Sequence, residues 1–456
     1  MLSAPTRAVL APVGGPDEPV VDSDSGRRPP ARARRFRWIM PQFDIALNNA
    51  RDEGGHEIHV GVDDGVVTIR SALPVDGRRS FDCKGGLLSR TLIEPHIHLD
   101  KCLVDFHAER RTDLRAYLAQ ESIYKRRRAT DEIYRRASAV MDILLNHGVT
   151  TITSQVDVDS AASLSGMEAL VRLRDDYADR AQLRIVAFPQ LGIIGDRGSM
   201  RRLRTALSLG ADAVGGHPQL EDSAHDSEQH IVRMFDLAEA FDVAIDMHCD
   251  ESDSARHFWI ESVLDEIDRR SWRGSVSVAH LNTMDLMAES RRSRIIDRLR
   301  AHRIRVICNP TSAMMFRGSP ERLPHRRAIP PARRLIDRGI HVSLGQETYK
   351  SVFISNLRYP HPLLSAQVFA FAAQFRSDND MRTLWSMLTG QGGAVPPGDG
   401  IPQVGEEATL NVWPHATIEA NLAHVARPVL RLYRGSVLPD YTERTDERDW
   451  VIPDGG

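Results

Sequence analysis

Apolar and polar positions switch period along this chain of 456 residues. Near the start, from about residue 45 to 90, they alternate with a period of two. Glu57-Ile58-His59-Val60-Gly61-Val62 is followed by Asp63-Asp64-Gly65 and then Val66-Val67-Thr68-Ile69. An Asp-Gly step between two alternating runs predicts a β-hairpin. Strand-like text returns near the other end, at 408–413 and 429–433. Two strand-rich ends around a long middle predict a small β domain assembled from both, 40–90 and 390–440.

The middle reads differently. Short β-branched runs at 91–94, 150–156, 183–188, 211–215, 243–247, 275–279, 303–308 and 340–344 alternate with helix-period segments. The helices are expected at 131–147, 164–180, 228–241, 255–270, 284–301 and 330–338. Strand count, alternation and a span of about 250 residues predict an α/β fold of the (β/α)8 TIM-barrel type over 91–389. Residues 1–39, rich in Pro, Gly, Arg and Asp, are expected to be a disordered extension, and 441–456 a C-terminal tail. Met40 is an alternative start.

Composition narrows the function classes. A formal net charge of −3 argues against a general nucleic-acid or membrane-surface binder. Almost all positive charge is arginine; the lysines are Lys84, Lys101, Lys125 and Lys350, a bias attributable to genome composition. Cys83, Cys102, Cys249 and Cys308 form no CxxC pair, which fits a reducing cytoplasm. The H-x-E and P-C-x-x-C signature of thiolate-zinc nucleobase deaminases is missing. No apolar run approaches the ~20 residues that span a bilayer. The twin arginines Arg34-Arg35 lead into no apolar segment of the kind an export signal needs.

In a (β/α)8 barrel, chemistry gathers where strands end. His96 and His98 lie at the end of the first strand, two residues apart on one face, so their imidazoles share a space. Gln155 and Asp157 follow the second strand and Gln190 the third. His217, then His248 with Glu251, His280, Asn309 and Gln346-Glu347 follow the remaining five in order. Imidazoles and carboxylates converging on one mouth suit a single divalent cation.

Glu94-Pro95-His96-Ile97-His98-Leu99-Asp100, Val186-Ala187-Phe188-Pro189-Gln190, Ile245-Asp246-Met247-His248-Cys249-Asp250-Glu251, Ala279-His280 and Cys308-Asn309-Pro310 resemble the amidohydrolase superfamily. Within it they are most similar to the cytosine-deaminase branch, in order and spacing from about residue 45 to 440. The resemblance implies a barrel with a small β-sandwich and one catalytic divalent metal, Zn2+ or Fe2+. It further implies hydrolysis at a carbon of a nitrogen heterocycle, and it suggests a homo-oligomer. The chain departs from the family after strand eight. There the family has G-H-D, and cytosine deaminases add a second Asp that touches substrate; this chain reads Gly345-Gln346-Glu347-Thr348. Glu347 falls on the metal Asp and Thr348 on the substrate Asp. Gln155-Val156-Asp157 replaces a common H-V-D. These changes point away from cytosine itself.

On this resemblance His96, His98, His248 and Glu347 are the expected metal ligands, with room for one water. Their alternative is as buried core histidines and a surface salt-bridge acid. Glu347 has about 1.5 Å more reach than Asp, so its strand end must recede or its carboxylate bend. Glu251 is the expected proton carrier and His280 the group that supports the developing oxyanion. The alternatives are an exposed loop acid and a packed histidine. Gln190 offers a donor and an acceptor to an amide-like ring edge. Phe188 or Phe353 can stack on that ring, and either is otherwise ordinary core. His217 can line the pocket, though an ordinary loop histidine is the favoured reading. No lysine follows strand four, so a mononuclear site is favoured over a carbamate-bridged one. The expected function is deamination of a small N-heterocycle in the cytoplasm, without nucleic-acid or membrane partners. Its rivals are cleavage of a cyclic amide or N-alkyl amine, and a silent barrel that only binds ligand.

Overall fold

The computed structural model describes residues 42–104, 114–256, 258–317, 326–351, 361–392 and 400–441. The expected N-terminal extension, nearly all of the expected tail and Phe353 lie outside these residues. β1 (Phe43–Arg51), β2 (Glu57–Asp63), β3 (Val66–Ser71) and β4 (Gly77–Asp82) form one sheet in the order β3-β2-β1-β4. The β2–β3 turn falls where Asp-Gly predicted it, with Asp63 opposite Val66. Asp64 and Gly65 take φ of 48° and 76°, the left-handed pair that a two-residue hairpin turn demands.

β5 (Leu88–Arg90) enters a second sheet, and the next strand opens the barrel. The barrel strands are β6 (Leu92–Ile97), β7 (Val149–Asp157), β8 (Gln182–Phe188) and β9 (Ala213–Gly216), then β10 (Ala244–Cys249), β11 (Val276–His280), β12 (Arg305–Cys308) and β13 (Val342–Leu344). They pair in sequence order, all parallel. Each coincides with a run expected from the sequence. Closure comes from a parallel bridge between Ile97 and Glu347. Glu347 N donates to His96 O at 2.9 Å, and His98 N donates to Glu347 O at 2.7 Å.

β14 (Leu410–Val412), β15 (Leu430–Tyr433) and β16 (Ser436–Val437) complete the second sheet, β16-β15-β14-β5. Leu47, Val60 and Val62 of the first sheet share a buried core with Leu410, Val412 and Leu432 of the second. Polar contacts tie this unit to the barrel: Asn411 Nδ2 donates to Gly148 O at 2.9 Å, and Arg431 Nη1 to Asn146 O at 3.1 Å. Among the described residues no helix is long and apolar enough to cross a membrane.

Candidate active site

β6 carries His96, His98 follows directly after it, and Glu94 sets their strand. Its buried carboxylate accepts from His96 N and Gln346 N, both at 3.1 Å, lacing β6 to the residues after β13. Glycine is required at Gly345 because a Cβ there would lie 2.4 Å from Asn309 Oδ1 and 2.9 Å from His96 Cβ. Glu347 itself adopts φ of 68° and His280 φ of 77°. Left-handed backbone costs a non-glycine residue on the order of 1–3 kcal/mol and concentrates at functional sites.

The Glu347 carboxylate stands at the centre of four imidazoles. Oε2 lies 3.5 Å from His96 Nε2 and 3.6 Å from His280 Nε2. Oε1 lies 3.5 Å from His98 Nε2 and 3.9 Å from His248 Nε2. Asn309 Nδ2 donates to Oε2 and steadies the carboxylate. The longer side chain is thus accommodated by the turned backbone at 347. His96, His98, His248 and His280 are all buried, and burial foremost holds their imidazoles below the usual range, His280 at about 4.

Donor chemistry fits a metal. Both ring nitrogens of His96 and of His280 make no hydrogen bond to a described residue, and neither do Nδ1 of His98 and of His248. His98 Nε2 and His248 Nε2 face each other at 3.1 Å. Nitrogens held at 2.0–2.1 Å from one tetrahedral ion would be separated by about 3.3 Å. One ligand atom each from His96, His248, His280 and Glu347 lies within 4.8 Å of the others.

Glu251 follows β10 and sits on the rim of this cluster. Its Oε2 is 3.9 Å from His280 Nε2 and 3.7 Å from His217 Nε2, while Arg317 Nη2 meets Oε1 at 3.0 Å. Burial would raise its pKa, but His280, Arg317 and His217 outweigh it and hold the carboxyl well below the ordinary range. His217 lies in the connection just after β9 and is buried, and Nδ1 faces Gln190 O at 3.2 Å. Its ring lies 5.3 Å from that of His248. Phe188 is fully buried and stacks on His248, centroids 4.1 Å apart. Thr348 is buried directly after Glu347.

A second polar cluster adjoins the first. After β6 the chain turns through a short 3-10 segment, Leu99–Lys101, which swings Lys101 Nζ to 5.6 Å from the Phe188 ring centre. Lys101 pairs with Asp157 at 2.9 Å and donates to Gln190 Oε1. Lys125 pairs with Asp157, with Asp159 at 3.0 Å and with Glu121 at 3.2 Å, and also donates to Gln190 Oε1 at 3.1 Å. Sequence reasoning passed over Lys125, Glu121, Asp159 and Arg317. The available signal was lysine itself, since two of only four in the chain meet here.

The sequence profile of the amidohydrolase family matches residues 109–353, more than half of the chain, which therefore belongs to that family. N-isopropylammelide isopropyl amidohydrolase of Pseudomonas sp. (strain ADP) is 26% identical over 253 residues, covering 53% of this chain and 62% of that protein. The chain thus spans about three fifths of that relative. Pterin deaminase of Rhizobium rhizogenes is 21% identical over 319 residues, 68% of this chain and 71% of the relative. In fold, the chain resembles 5-methylcytosine deaminase from Klebsiella pneumoniae liganded with 5-fluorocytosine. The TM-score is 0.80 at 24% identity, over 86% of this chain and 97% of the other.

Proposed function

We propose that this chain is a mononuclear metal-dependent hydrolase that removes an amine from an sp2 carbon of a small nitrogen heterocycle. The observation that carries the reading is a set of buried imidazoles whose Nε2 atoms gather within 3.9 Å of one carboxylate, those of His96 and His280 without a hydrogen bond to any described residue. Family membership and relatives named as deaminases and amidohydrolases support it.

His96, His98, His248 and Glu347 would hold the ion, Zn2+ or Fe2+, since nitrogen and oxygen donors satisfy both. Such an ion is a Lewis acid that lowers the pKa of solvent it contacts. The chain's own groups do the rest. Ionised Glu251 can take a proton at Oε2 from the attacking water and deliver it to a ring nitrogen. It can then take the hydroxyl proton of the tetrahedral adduct and deliver that one to the departing amine. Of the four imidazoles on Glu347, His280 also approaches Glu251, at 3.9 Å. That position suits donation to an oxyanion forming between the two acids. Phe188 fixes the His248 ring by stacking. Thr348 stands where a charged second acid would otherwise reach substrate, which favours a ring other than cytosine.

The test is direct. Purified protein should carry close to one zinc or iron per chain and release ammonia from at least one of a panel of aminopyrimidines, aminotriazines and creatinine. Substoichiometric metal after growth with both metals supplied would leave a silent, ligand-binding barrel. A second reading, cleavage of an N-alkyl amine, is favoured by the isopropyl amidohydrolase relative. Release of an alkylamine instead of ammonia would select it. The cytoplasm is the compartment we assign, with a small molecule as the partner.

A further inference from the structure

The end of the barrel opposite the imidazoles is hollow, and its wall is largely polar. A (β/α)8 barrel is ordinarily filled by layers of branched apolar side chains. Here Thr151, Arg184, Asp246, Ser277, Arg305 and His341 line a cavity of about 250 Å3. The first five lie in the N-terminal halves of their strands, and His341 comes just before β13. The imidazole centre, by contrast, stands at the C-terminal strand ends.

Charge on that wall is unevenly answered. The acids are already taken by donors of the chain. Asp246 accepts from Gln155 Nε2 at 2.9 Å and from Ser277 Oγ at 2.6 Å. Asp212, also on the wall, accepts from Ile185 N at 2.8 Å and pairs with Arg174 at 3.3 Å. Glu94 holds the main-chain amides of His96 and Gln346. The two arginines are not answered in this way. Among the described residues the Arg184 guanidinium makes no hydrogen bond and no ion pair. The Arg305 guanidinium meets only Ser275 Oγ, at 3.1 Å. Elsewhere Arg128 pairs with Asp100 and Arg317 with Glu251, each at 3.0 Å. Arg184 and Arg305 both stand within electrostatic reach of Asp246. Their strands, β8 and β12, are four apart in the ring of eight, so they enter from opposite walls.

We propose that this cavity binds a small oxyanion, a phosphate or a compact dicarboxylate, between Arg184 and Arg305. A guanidinium offers a planar fork of donors and never accepts, which matches the paired oxygens of such an ion. The Thr151 hydroxyl and the His341 imidazole lie on the same wall and complete its hydrogen bonds. Asp246 sets one negative charge against the guest; the two guanidiniums outnumber it, and hydrogen bonds cover both of its oxygens. The space is smaller than the roughly 300–1,000 Å3 that drug-sized ligands occupy, so the guest is compact. This site is separate from the imidazole centre and independent of the hydrolase reading.

Titration calorimetry on the purified chain tests this, with inorganic phosphate and malonate as separate probes at constant ionic strength. One site per chain should appear, with a dissociation constant below about 1 mM. The tighter probe tells whether the site takes a phosphoryl or a carboxylate guest. Arg184→Met and Arg305→Met should each weaken binding by at least about tenfold, the scale of one charge-assisted hydrogen bond lost. Chelating any bound metal should leave the affinity unchanged, whereas an anion seated on the imidazole centre would follow the metal. Arg305 is exposed, so Arg305→Met carries the test where melting shows that Arg184→Met does not fold. Absence of saturable binding by both probes overturns the proposal. So does an unchanged affinity in either folded variant, or binding that chelation abolishes.

Discussion

Two buried polar clusters sit side by side at one mouth of the barrel, and they are built on opposite terms. Among the imidazoles, nitrogen faces nitrogen and most ring atoms make no hydrogen bond. Among the lysines, each ammonium meets carboxylates: Lys101 on Asp157, and Lys125 on Asp157, Asp159 and Glu121. A buried polar group without a partner costs about 1–3 kcal/mol. A metal ion, as proposed above, would relieve that cost among the imidazoles. The lysine cluster pairs its ammoniums with carboxylates of the chain itself, and it orients the neighbouring amide.

The sharpest way to break this contrast is Glu347→Ala. It should lower metal content to background and activity by more than about a thousandfold, a scale set by loss of a transition-state charge clamp. Metal analysis and amine release check it together, and a variant that keeps both would remove Glu347 from the centre. Next in size is Lys125→Met, which strands carboxylates in the interior. We expect a loss of about 3–5 kcal/mol in denaturant unfolding, with Lys125→Met/Asp159→Asn recovering part of it. A fully stable single variant would mean that the cluster is not self-neutralised.

A buried histidine outside both clusters gives a milder comparison. His361 Nδ1 accepts from Leu363 N at 3.3 Å, and burial, with Arg427 behind it, holds the imidazole down at about 4. The unfolded chain takes up this proton near the ordinary 6.5, the folded one only near 4. Stability is thus lost as pH falls through that window. At about 1.4 kcal/mol per pH unit the total is on the order of 3 kcal/mol. His361→Gln should show a shallower acid loss by about that amount in urea titrations; identical pH profiles would contradict it. Smallest is Arg338→Ala, which removes a pair with Asp297 at 2.7 Å whose side chains are 44% and 63% exposed. Its effect should stay below about 1 kcal/mol, the surface baseline against which Lys125→Met is read.

The barrel strands were legible because each is a short β-branched run, bounded on both sides and buried. Helices with an apolar face were legible too, as at Thr130–Asn146 and Trp259–Arg270. Several others were not, and two of them show why. Ser199–Ser208 buries little beyond Leu203, Ala206 and Leu207 among its arginines. Leu114–Lys125 inverts the usual pattern: Glu121 and Lys125 are buried while Ile123 is 53% exposed. A helix whose inward face carries charge has no apolar period to read. The same inversion hid the lysine cluster. The imidazole centre was readable for the opposite reason: its members all lie at or just past the C-terminal ends of strands, where local order in the chain translates directly into position. What no local pattern contained was the pairing of Glu251 with Arg317 and the orientation of Gln190, both set by residues distant in sequence.

Position 347 performs two duties at once. Its amide and carbonyl stitch the last strand to the first, and its side chain faces the four imidazoles. Any replacement must tolerate a left-handed main chain and still bring an oxygen to the middle, a demand that aspartate, asparagine and little else meet easily. Divergence at this position is therefore confined to side-chain length, and a misjudged length would loosen the seam of the barrel along with the catalytic centre.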